Sequence, residues 1–193
     1  MVTVGVLALQ GDFAAHHRAL GRLGVTAVPA RTAAELGAVD ALVLPGGEST
    51  AMLHGIARDG LEASLRGFLA SGRPVLGTCA GAILLARRVT NPAQRSFDAL
   101  DIDIERNAYG TQIDSFAAPL DAGGDLFGMH GVFIRAPRIR RVGPGVEVLA
   151  RHAGDPVLVR DGVVWAATFH PELGDDDRLL HLWLAATPAA LSA

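Results

Sequence analysis

The amino-acid sequence predicts an α/β fold, with a mostly parallel central sheet flanked by helices and extra β-strands in the second half. Short apolar segments alternate with amphipathic ones through residues 2–88, which is the pattern of strand–helix units in a parallel sheet covered on both faces. β-rich segments separated by Gly, Pro and Asp turns follow. With 193 residues, half of them hydrophobic, the chain can bury a substantial core, and we expect a single domain over residues 1–193.

The first half contains the parallel strands and their connecting helices. The segment 2–9 is apolar and β-branched with few polar interruptions, as expected of a strand buried on both faces. Asp12 and Thr32 stand where helix N-caps are expected. Further strands are predicted at residues 25–29, 40–44 and 74–77, and helices at residues 13–21, after residue 32, and at residues 50–57, 61–70 and 80–88.

The second half is predicted to be mainly β-structure. The pair Asp161-Gly162 between two apolar runs is a hairpin signal. An amphipathic helix is expected at residues 176–186, whereas the polar segments 87–98 and 120–130 have no pattern that assigns a conformation. The strands are predicted at residues 101–106, 131–135, 146–151, 156–160 and 163–169.

The composition excludes several classes of function. The 17 basic residues are all arginine, so lysine Schiff-base chemistry and a P-loop lysine are excluded. A net charge of -3 gives no electrostatic case for binding nucleic acid or an anionic membrane. A single cysteine excludes an internal disulfide and a four-cysteine metal site, and we expect no metal and no cofactor. Without an apolar run long enough to span a bilayer or a signal-peptide pattern, we expect a cytoplasmic protein.

The single cysteine, Cys79, lies in the sequence VLGTCAGA, residues 75–82, between a predicted strand and a predicted helix. Glycines two positions away on each side permit the tight turn of a nucleophile elbow. The sulfur then projects at the N-terminus of the following helix, where the helix dipole favours a thiolate. A lone cysteine is more often a small buried hydrophobe, but this context favours a nucleophile.

A cysteine nucleophile needs a base, and His170 is the best placed of the seven histidines. It follows a predicted strand and precedes Pro171, which favours an extended backbone at the histidine. In an extended chain, residues two apart lie on the same side, so Glu172 can reach the imidazole and hold its tautomer. Cys79, His170 and Glu172 therefore form a candidate catalytic triad, although an isolated His-Pro-Glu is equally typical of a surface turn.

Acyl transfer also needs hydrogen-bond donors for the developing oxyanion. The segment 44–50, LPGGEST, places two glycines at the end of a strand, where backbone N–H groups can supply such donors. We expect the oxyanion donors at Gly47 and Ala80. Taken alone, the segment is also typical of an ordinary strand–helix turn with Ser49 as the N-cap.

Together these motifs resemble the class I (triad) glutamine amidotransferases, whose fold is flavodoxin-like, and within them the glutaminase subunits of pyridoxal 5′-phosphate synthase. The resemblance spans residues 5–172 and implies the triad Cys79, His170 and Glu172. The narrower resemblance is carried by residues 5–12 (GVLALQGD), 44–50 (LPGGEST), 106–116 (RNAYGTQIDSF) and 133–137 (FIRAP). It implies that glutamine is bound by Gly47, Glu48, Ser49, Arg106, Ile134 and Arg135.

The resemblance also implies a function and a partner. The chain would hydrolyse L-glutamine to L-glutamate and ammonia through a γ-glutamyl thioester. The ammonia would pass to a separate synthase subunit, a (β/α)8 barrel, within a large hetero-oligomer that makes pyridoxal 5′-phosphate, vitamin B6. Docking of that subunit would activate the glutaminase, and we expect residues 10–13 to form part of the docking face.

Three other interpretations stay open from the sequence. The chain could supply ammonia to another pathway, such as imidazole, purine or folate precursor synthesis. It could be a cysteine hydrolase or stress protein of similar fold that acts alone, although such a protein would not require His-Pro-Glu after its last strand. It could also be a docking subunit without catalytic activity, against which the presence of all three triad residues argues.

Overall fold

A computed structural model describes residues 2–106, 108 and 115–186 of the chain. The helices are α1 (Phe13–Arg22), α2 (Ala33–Ala38), α3 (Ser49–Arg58), α4 (Glu62–Ala70), α5 (Ala80–Leu85) and α6 (Arg178–Ala185). The strands of the first half are β1 (Thr3–Leu7), β2 (Thr26–Ala30), β3 (Ala41–Leu44), β4 (Val75–Thr78) and β5 (Ala86–Thr90). Those of the second half are β6 (Leu100–Glu105), β7 (Phe116–Pro119), β8 (Asp121–Ala122), β9 (His130–Phe133), β10 (Arg138–Val142), β11 (Glu147–His152), β12 (Asp155–Asp161) and β13 (Val164–Ala167).

Within the described residues, the main sheet contains eight strands in the order β2-β1-β3-β4-β13-β12-β11-β8. The strands from β2 to β13 in this order are parallel. The remaining strands, β12, β11 and β8, extend the sheet by antiparallel pairing. Two smaller sheets, β10-β6-β5 and β7-β9, lie outside it. The predicted α/β architecture, with a mostly parallel sheet and β-rich additions in the second half, is confirmed.

Helices cover both faces of the main sheet, which explains the continuous apolar runs of its central strands. Side chains of a strand alternate between the two faces. In β3, Leu42 and Leu44 pack in the hydrophobic cluster that includes residues of α3 and α4, whereas Val43 packs in the cluster that includes residues of α1 and α6. Because no face of these strands meets water, neither face requires polar residues. None of the described helices is long and apolar enough to cross a membrane.

The starts of α1, α2 and α3 follow local capping rules. The Asp12 side chain accepts a hydrogen bond from the Ala15 backbone N–H, which makes it the N-cap of α1 as predicted. At α2, Thr32 and Glu35 form a capping box, in which each side chain accepts from the backbone N–H of the other residue. The glutamate of the segment 44–50, Glu48, caps α3, so the alternative prediction of a Ser49 cap is wrong.

The helix predicted at residues 80–88 is wrong at its C-terminal end. It stops at Leu85, and Ala86 is already extended with ψ of 151°. Residues 86–90 form β5 instead, which pairs in parallel with β6. Long-range pairing with β6 therefore overrides the local helical pattern. No conformation was predicted for the segments 87–98 and 120–130. They contain the rest of β5, the short strand β8, a 3₁₀ turn at Gly124–Leu126 and the start of β9.

The turn between β4 and α5 packs tightly against the end of β3. A Cβ atom built on Gly81 would lie 1.9 Å from the carbonyl oxygen of Leu44, so no larger residue fits without displacing the backbone. In contrast, Gly67 lies in the middle of the exposed face of α4, with nothing within 4 Å of a built Cβ atom.

We therefore expect Gly81→Ala to lower the free energy of unfolding by about 1–3 kcal/mol or more, the usual cost of overpacking. The matched variant Gly67→Ala should raise it by about 0.5–1 kcal/mol, because alanine favours a helix over glycine. Urea unfolding followed by circular dichroism measures both. A Gly81→Ala protein as stable as the parent would contradict this packing.

Candidate active site

Cys79 occupies a strained turn at the carboxyl end of β4. Its φ of 48° and ψ of -102° are sparsely populated by residues other than glycine. The backbone N–H of Cys79 donates to the Ala167 carbonyl oxygen at 2.8 Å and so prolongs the pairing of β4 with β13. Its Sγ lies 3.9 Å from the carbonyl oxygen of Ile134. Such strain persists only where surrounding structure enforces it, and it is concentrated at functional sites.

His170 and Glu172 lie beside Cys79 because β13 is the parallel neighbour of β4. The imidazole Nδ1 of His170 donates to Oε1 of Glu172 at 2.7 Å, within the segment that the sequence analysis identified. The backbone N–H of His170 also donates to the Val132 carbonyl oxygen, which fixes the segment after β13. Glu172 lies in the 3₁₀ turn Pro171–Leu173 and is only 4% exposed. The structure therefore brings the three predicted triad residues together.

The environment of His170 favours its protonated form. Burial alone would lower the pKa of this imidazole, but hydrogen bonds and charge interactions with Cys79 and Glu172 outweigh burial and raise the pKa to about 10. Burial also acts to raise the pKa of Glu172, yet the hydrogen bond and the charge of protonated His170 hold it below the ordinary value. Glu172 is thus an ionised carboxylate that can orient His170 and stabilise the imidazolium.

A second buried histidine, His16 of α1, reaches the same carboxylate. Its Nε2 lies 3.4 Å from Oε1 of Glu172 and 3.2 Å from Oγ1 of Thr78. The sequence analysis did not single out this residue. A signal was present, because His16 shares the buried face of α1 with Ala19 and Leu20 at helical spacing. A histidine at such a position needs a buried polar partner, but the sequence does not identify that partner.

The predicted oxyanion turn follows β3 and contacts the loop after β1. Gly47 has a φ of 141°, which favours glycine. The carbonyl oxygen of Gly46 points at Gly11, where a built Cβ atom would lie only 1.9 Å from it. Because the peptide is trans, the N–H of Gly47 points away from Gly11. Ala80, the other predicted donor, is the first residue of α5, where backbone N–H groups have no intrahelical acceptor.

Arg106 and Glu48 form a partly buried ion pair at the other end of the site. An Nη2 atom of Arg106 donates to Oε1 of Glu48 at 3.0 Å and to Oγ1 of Thr50 at 3.2 Å. Ser49 donates from Oγ to Oε1 of Gln94 at 3.0 Å. Gln94 lies in the segment 87–98, for which the sequence predicted no conformation. Its hydrogen bond with Ser49 was therefore not predicted. The middle of the predicted segment 106–116, residues 107 and 109–114, lies outside the described residues.

Ile134 and Arg135 form the opposite wall, after β9. Arg135 has a φ of 44°, a second strained backbone in the same region as Cys79. Together, these groups enclose a cavity of about 350 Å³, in the size range of small-molecule sites. The cavity is lined by Gly11, Asp12, Gly46, Gly47, Glu48, Ser49, Cys79, Ile83, Arg106, Ile134, Arg135 and His170.

The cavity brings the Cys79 sulfur and the His170 imidazole together with side chains of both charges. It lies at the carboxyl ends of β1, β3, β4 and β13, where open parallel sheets bind ligands. Glu48 offers carboxylate oxygens, and Arg106 and Arg135 offer guanidinium groups, which suits a zwitterionic amino acid. Among the residues that the structure describes, no cluster of three or more His, Cys, Asp or Glu side chains could hold a metal ion.

We expect the imidazole of His170 to titrate near pH 10 in the folded protein, so that it keeps its proton through neutral pH. Glu172→Gln should lower this pKa, because it removes a negative charge that stabilises the imidazolium. Cys79→Ala should also lower it, because it removes the hydrogen bond and the charge interaction that Cys79 makes with the imidazole. Imidazole ¹⁵N NMR titration measures the three values, with His170→Asn assigning the signal. A parental His170 that titrates near 6.5 would contradict the described coupling.

Comparison with known proteins relates this site to a family. Residues 6–187 match the SNO glutamine amidotransferase family. The chain is 53% identical over 184 residues to the pyridoxal 5′-phosphate synthase subunit PdxT of Koribacter versatilis strain Ellin345, covering 94% of this chain and 93% of that protein. It is 52% identical over 184 residues to a subunit of the same name from Thermus thermophilus, covering 94% of this chain and 95% of that protein.

Solved structures agree with this relationship. A crystal structure of a glutamine amidotransferase has a TM-score of 0.88 to this chain at 48% identity, and it covers 95% of this chain and 97% of that one. The structure of PurLQS from Thermotoga maritima, at 16% identity and a TM-score of 0.61, is similar in fold alone. The predicted fold, that of the class I glutamine amidotransferases, is thereby confirmed. The chain belongs to the SNO glutamine amidotransferase family.

Proposed function

We propose that this chain hydrolyses L-glutamine to L-glutamate and ammonia with Cys79, His170 and Glu172, and delivers the ammonia to the synthase subunit of pyridoxal 5′-phosphate synthase. The observation that carries the proposal is the buried hydrogen bond between His170 and Glu172 beside a strained cysteine, at the mouth of a cavity with amino-acid-binding groups. Membership of the amidotransferase family supports the glutamine amide as the substrate.

In the first half of the reaction, the Cys79 thiolate attacks the carboxamide carbon of glutamine and forms a C–S bond. The tetrahedral oxyanion is stabilised by backbone N–H groups of Gly47 and Ala80. His170, protonated at neutral pH, donates its proton to the nitrogen, and ammonia leaves as the C–N bond breaks. The product on the protein is a γ-glutamyl thioester of Cys79.

In the second half, His170 is neutral and takes a proton from water. The resulting hydroxide attacks the thioester, the C–S bond breaks, and the Cys79 thiolate and the His170 imidazolium are restored. The product leaves as glutamate after its γ-carboxyl group loses a proton to solvent. Glu172 orients the imidazole in both halves and stabilises its charged form. The high pKa of His170 suits its role as the acid for ammonia departure.

The amino-acid end of glutamine has complementary charges in the cavity. Its α-carboxylate would bind a guanidinium, with Arg106 and Arg135 as candidates, and its α-ammonium would bind the Glu48 carboxylate. Arg106 is 9% exposed and already paired with Glu48, so its position is fixed before substrate arrives. Such preorganisation lowers the entropic cost of binding. Gly47, Ser49 and Ile134 complete the proposed glutamine site.

The proposed delivery of ammonia requires a partner, because free ammonia is mostly protonated near neutral pH and is then not a nucleophile. Relatives that are about half identical over nearly the whole chain are named as subunits of pyridoxal 5′-phosphate synthase, which supports that partner. We propose residues 10–13 as part of the docking face, since Gln10, Gly11 and Asp12 are exposed. Gly11 contacts the oxyanion turn, so docking there could arrange the donors.

We expect weak glutamate release by the isolated chain and strong activation by the cognate synthase subunit. Cys79→Ala and His170→Asn should each reduce activated turnover by at least about 10³-fold. His181→Asn, the same substitution at an exposed histidine of α6, is the matched control and should keep the parental rate. A coupled glutamate assay measures all proteins.

Other results would contradict parts of this proposal or support one of the alternative functions. Parental activity in Cys79→Ala or His170→Asn would contradict the proposed triad. High activity without any partner would keep the triad and contradict the activation by docking. Activation by a different synthase would indicate that the chain supplies ammonia to another pathway. A folded protein inactive in every condition would indicate a docking subunit without catalysis.

A further inference from the structure

His16 has contacts that the proposed mechanism does not use. The side chain is completely buried, and its Nε2 faces Oε1 of Glu172 at 3.4 Å. This is the same oxygen that accepts from Nδ1 of His170 at 2.7 Å. Two imidazoles from distant parts of the chain therefore converge on one carboxylate oxygen. The hydroxyl of Thr78, the residue before Cys79, lies 3.2 Å from the same Nε2.

The surroundings of His16 determine which nitrogen carries its proton. Burial lowers its pKa, so the ring is neutral near neutral pH. Among the described residues, Nδ1 has no hydrogen-bond partner. A proton on Nδ1 would leave a buried donor unpaired and would turn the Nε2 lone pair toward a carboxylate. A proton on Nε2 avoids both penalties and places an N–H within hydrogen-bond distance of the Thr78 hydroxyl, with Oε1 of Glu172 3.4 Å from the same nitrogen.

Glu172 has few other groups that stabilise its charge. Its Oε2 atom is buried and lacks a hydrogen-bond partner among the described residues. Besides its own backbone N–H, protonated His170 favours the ionised carboxylate, and Nε2 of His16 lies 3.4 Å from the same oxygen. A buried carboxylate with so few partners can rotate when one of them is removed. Such a rotation would displace the acceptor that orients His170.

The charged groups around His16 are few and can be named. Glu172 stabilises a proton on His16, His170 disfavours it, and Asp12 at the start of α1 favours it weakly. Burial exceeds all of them in effect. His16 therefore acts as a neutral donor over the pH range of the reaction, and it does not compete with His170 for the proton that ammonia needs.

We propose that His16 is a positioning residue that holds the Glu172 carboxylate in place through its Nε2–H and so keeps His170 oriented toward Cys79. This inference rests on the proposed glutaminase function, but its geometry can be tested separately. It also gives α1 a connection to the catalytic groups, because the helix that begins beside the exposed segment 10–12 contacts the triad carboxylate one turn later.

Two substitutions of His16 distinguish a hydrogen-bonding role of its side chain from a role that only fills space. His16→Gln keeps a nitrogen donor the same number of bonds from Cβ as the histidine Nε2, whereas His16→Met fills similar volume without a donor. His17→Gln, at the exposed neighbouring histidine of α1, is the control for the substitution itself. Thermal unfolding of each variant first confirms that it is folded at the assay temperature.

We expect His16→Met to lower kcat for activated glutamine hydrolysis by about 10- to 100-fold, with KM within about twofold of the parent, because substrate-binding groups are untouched. The pKa of His170, measured by imidazole NMR, should fall in the same variant, because a Glu172 carboxylate that rotates away from Nδ1 stabilises the imidazolium less. His16→Gln should restore kcat to within about threefold of the parent and restore the His170 pKa. His17→Gln should match the parent in both.

The NMR result keeps this proposal independent of the proposed function. If the parental protein hydrolyses no glutamine, the glutaminase proposal fails, while a lowered His170 pKa in His16→Met still supports positioning. The positioning role is overturned if folded His16→Met keeps the parental His170 pKa. It is equally overturned if the Met and Gln variants have the same kcat and the same His170 pKa.

Discussion

The backbone of α5 approaches the end of β3 so closely that a Cβ atom at Gly81 would lie 1.9 Å from the Leu44 carbonyl oxygen. This contact fixes the turn that holds Cys79, and β4 then joins β13 as its parallel neighbour. Because strands that run in parallel end at one edge, Cys79, the histidine after β13 and the loops after β1 and β3 meet there. The strand order therefore places these groups together, and the tight turn holds Cys79 at the end of β4.

Burial of the triad carboxylate shapes the chemistry of the site. Removing Glu172 from water favours its neutral form, and the hydrogen bond and charge of His170 act to keep it ionised. The same burial strengthens its interaction with His170, whose pKa is raised in spite of its own desolvation. A proton is therefore held where a departing ammonia would need it. The arrangement depends on groups contributed by α1, β4 and the segment after β13.

The sequence was most informative where the chemistry is local. The turn around Cys79 and the pair His170 and Glu172 could be predicted, because each depends on neighbours within a few residues. His16 could not be assigned, since its partner is far along the chain and only the fold brings them together. The same reason explains the end of α5 at Leu85, where pairing between β5 and β6 replaces a helix that local pattern favours. Gln94, the acceptor for Ser49, was missed because its segment has no periodicity.

The proposed covalent role of Cys79 can be tested most directly by trapping the intermediate. The activated protein is mixed with glutamine, quenched in acid during turnover, digested and analysed by mass spectrometry. We expect a glutamyl adduct on the peptide that contains Cys79, the only cysteine of the chain, and its absence when Cys79 is replaced by alanine. Accumulation of glutamate in the same samples, with Cys79 unmodified at every quench time and an adduct on another residue, would contradict the account.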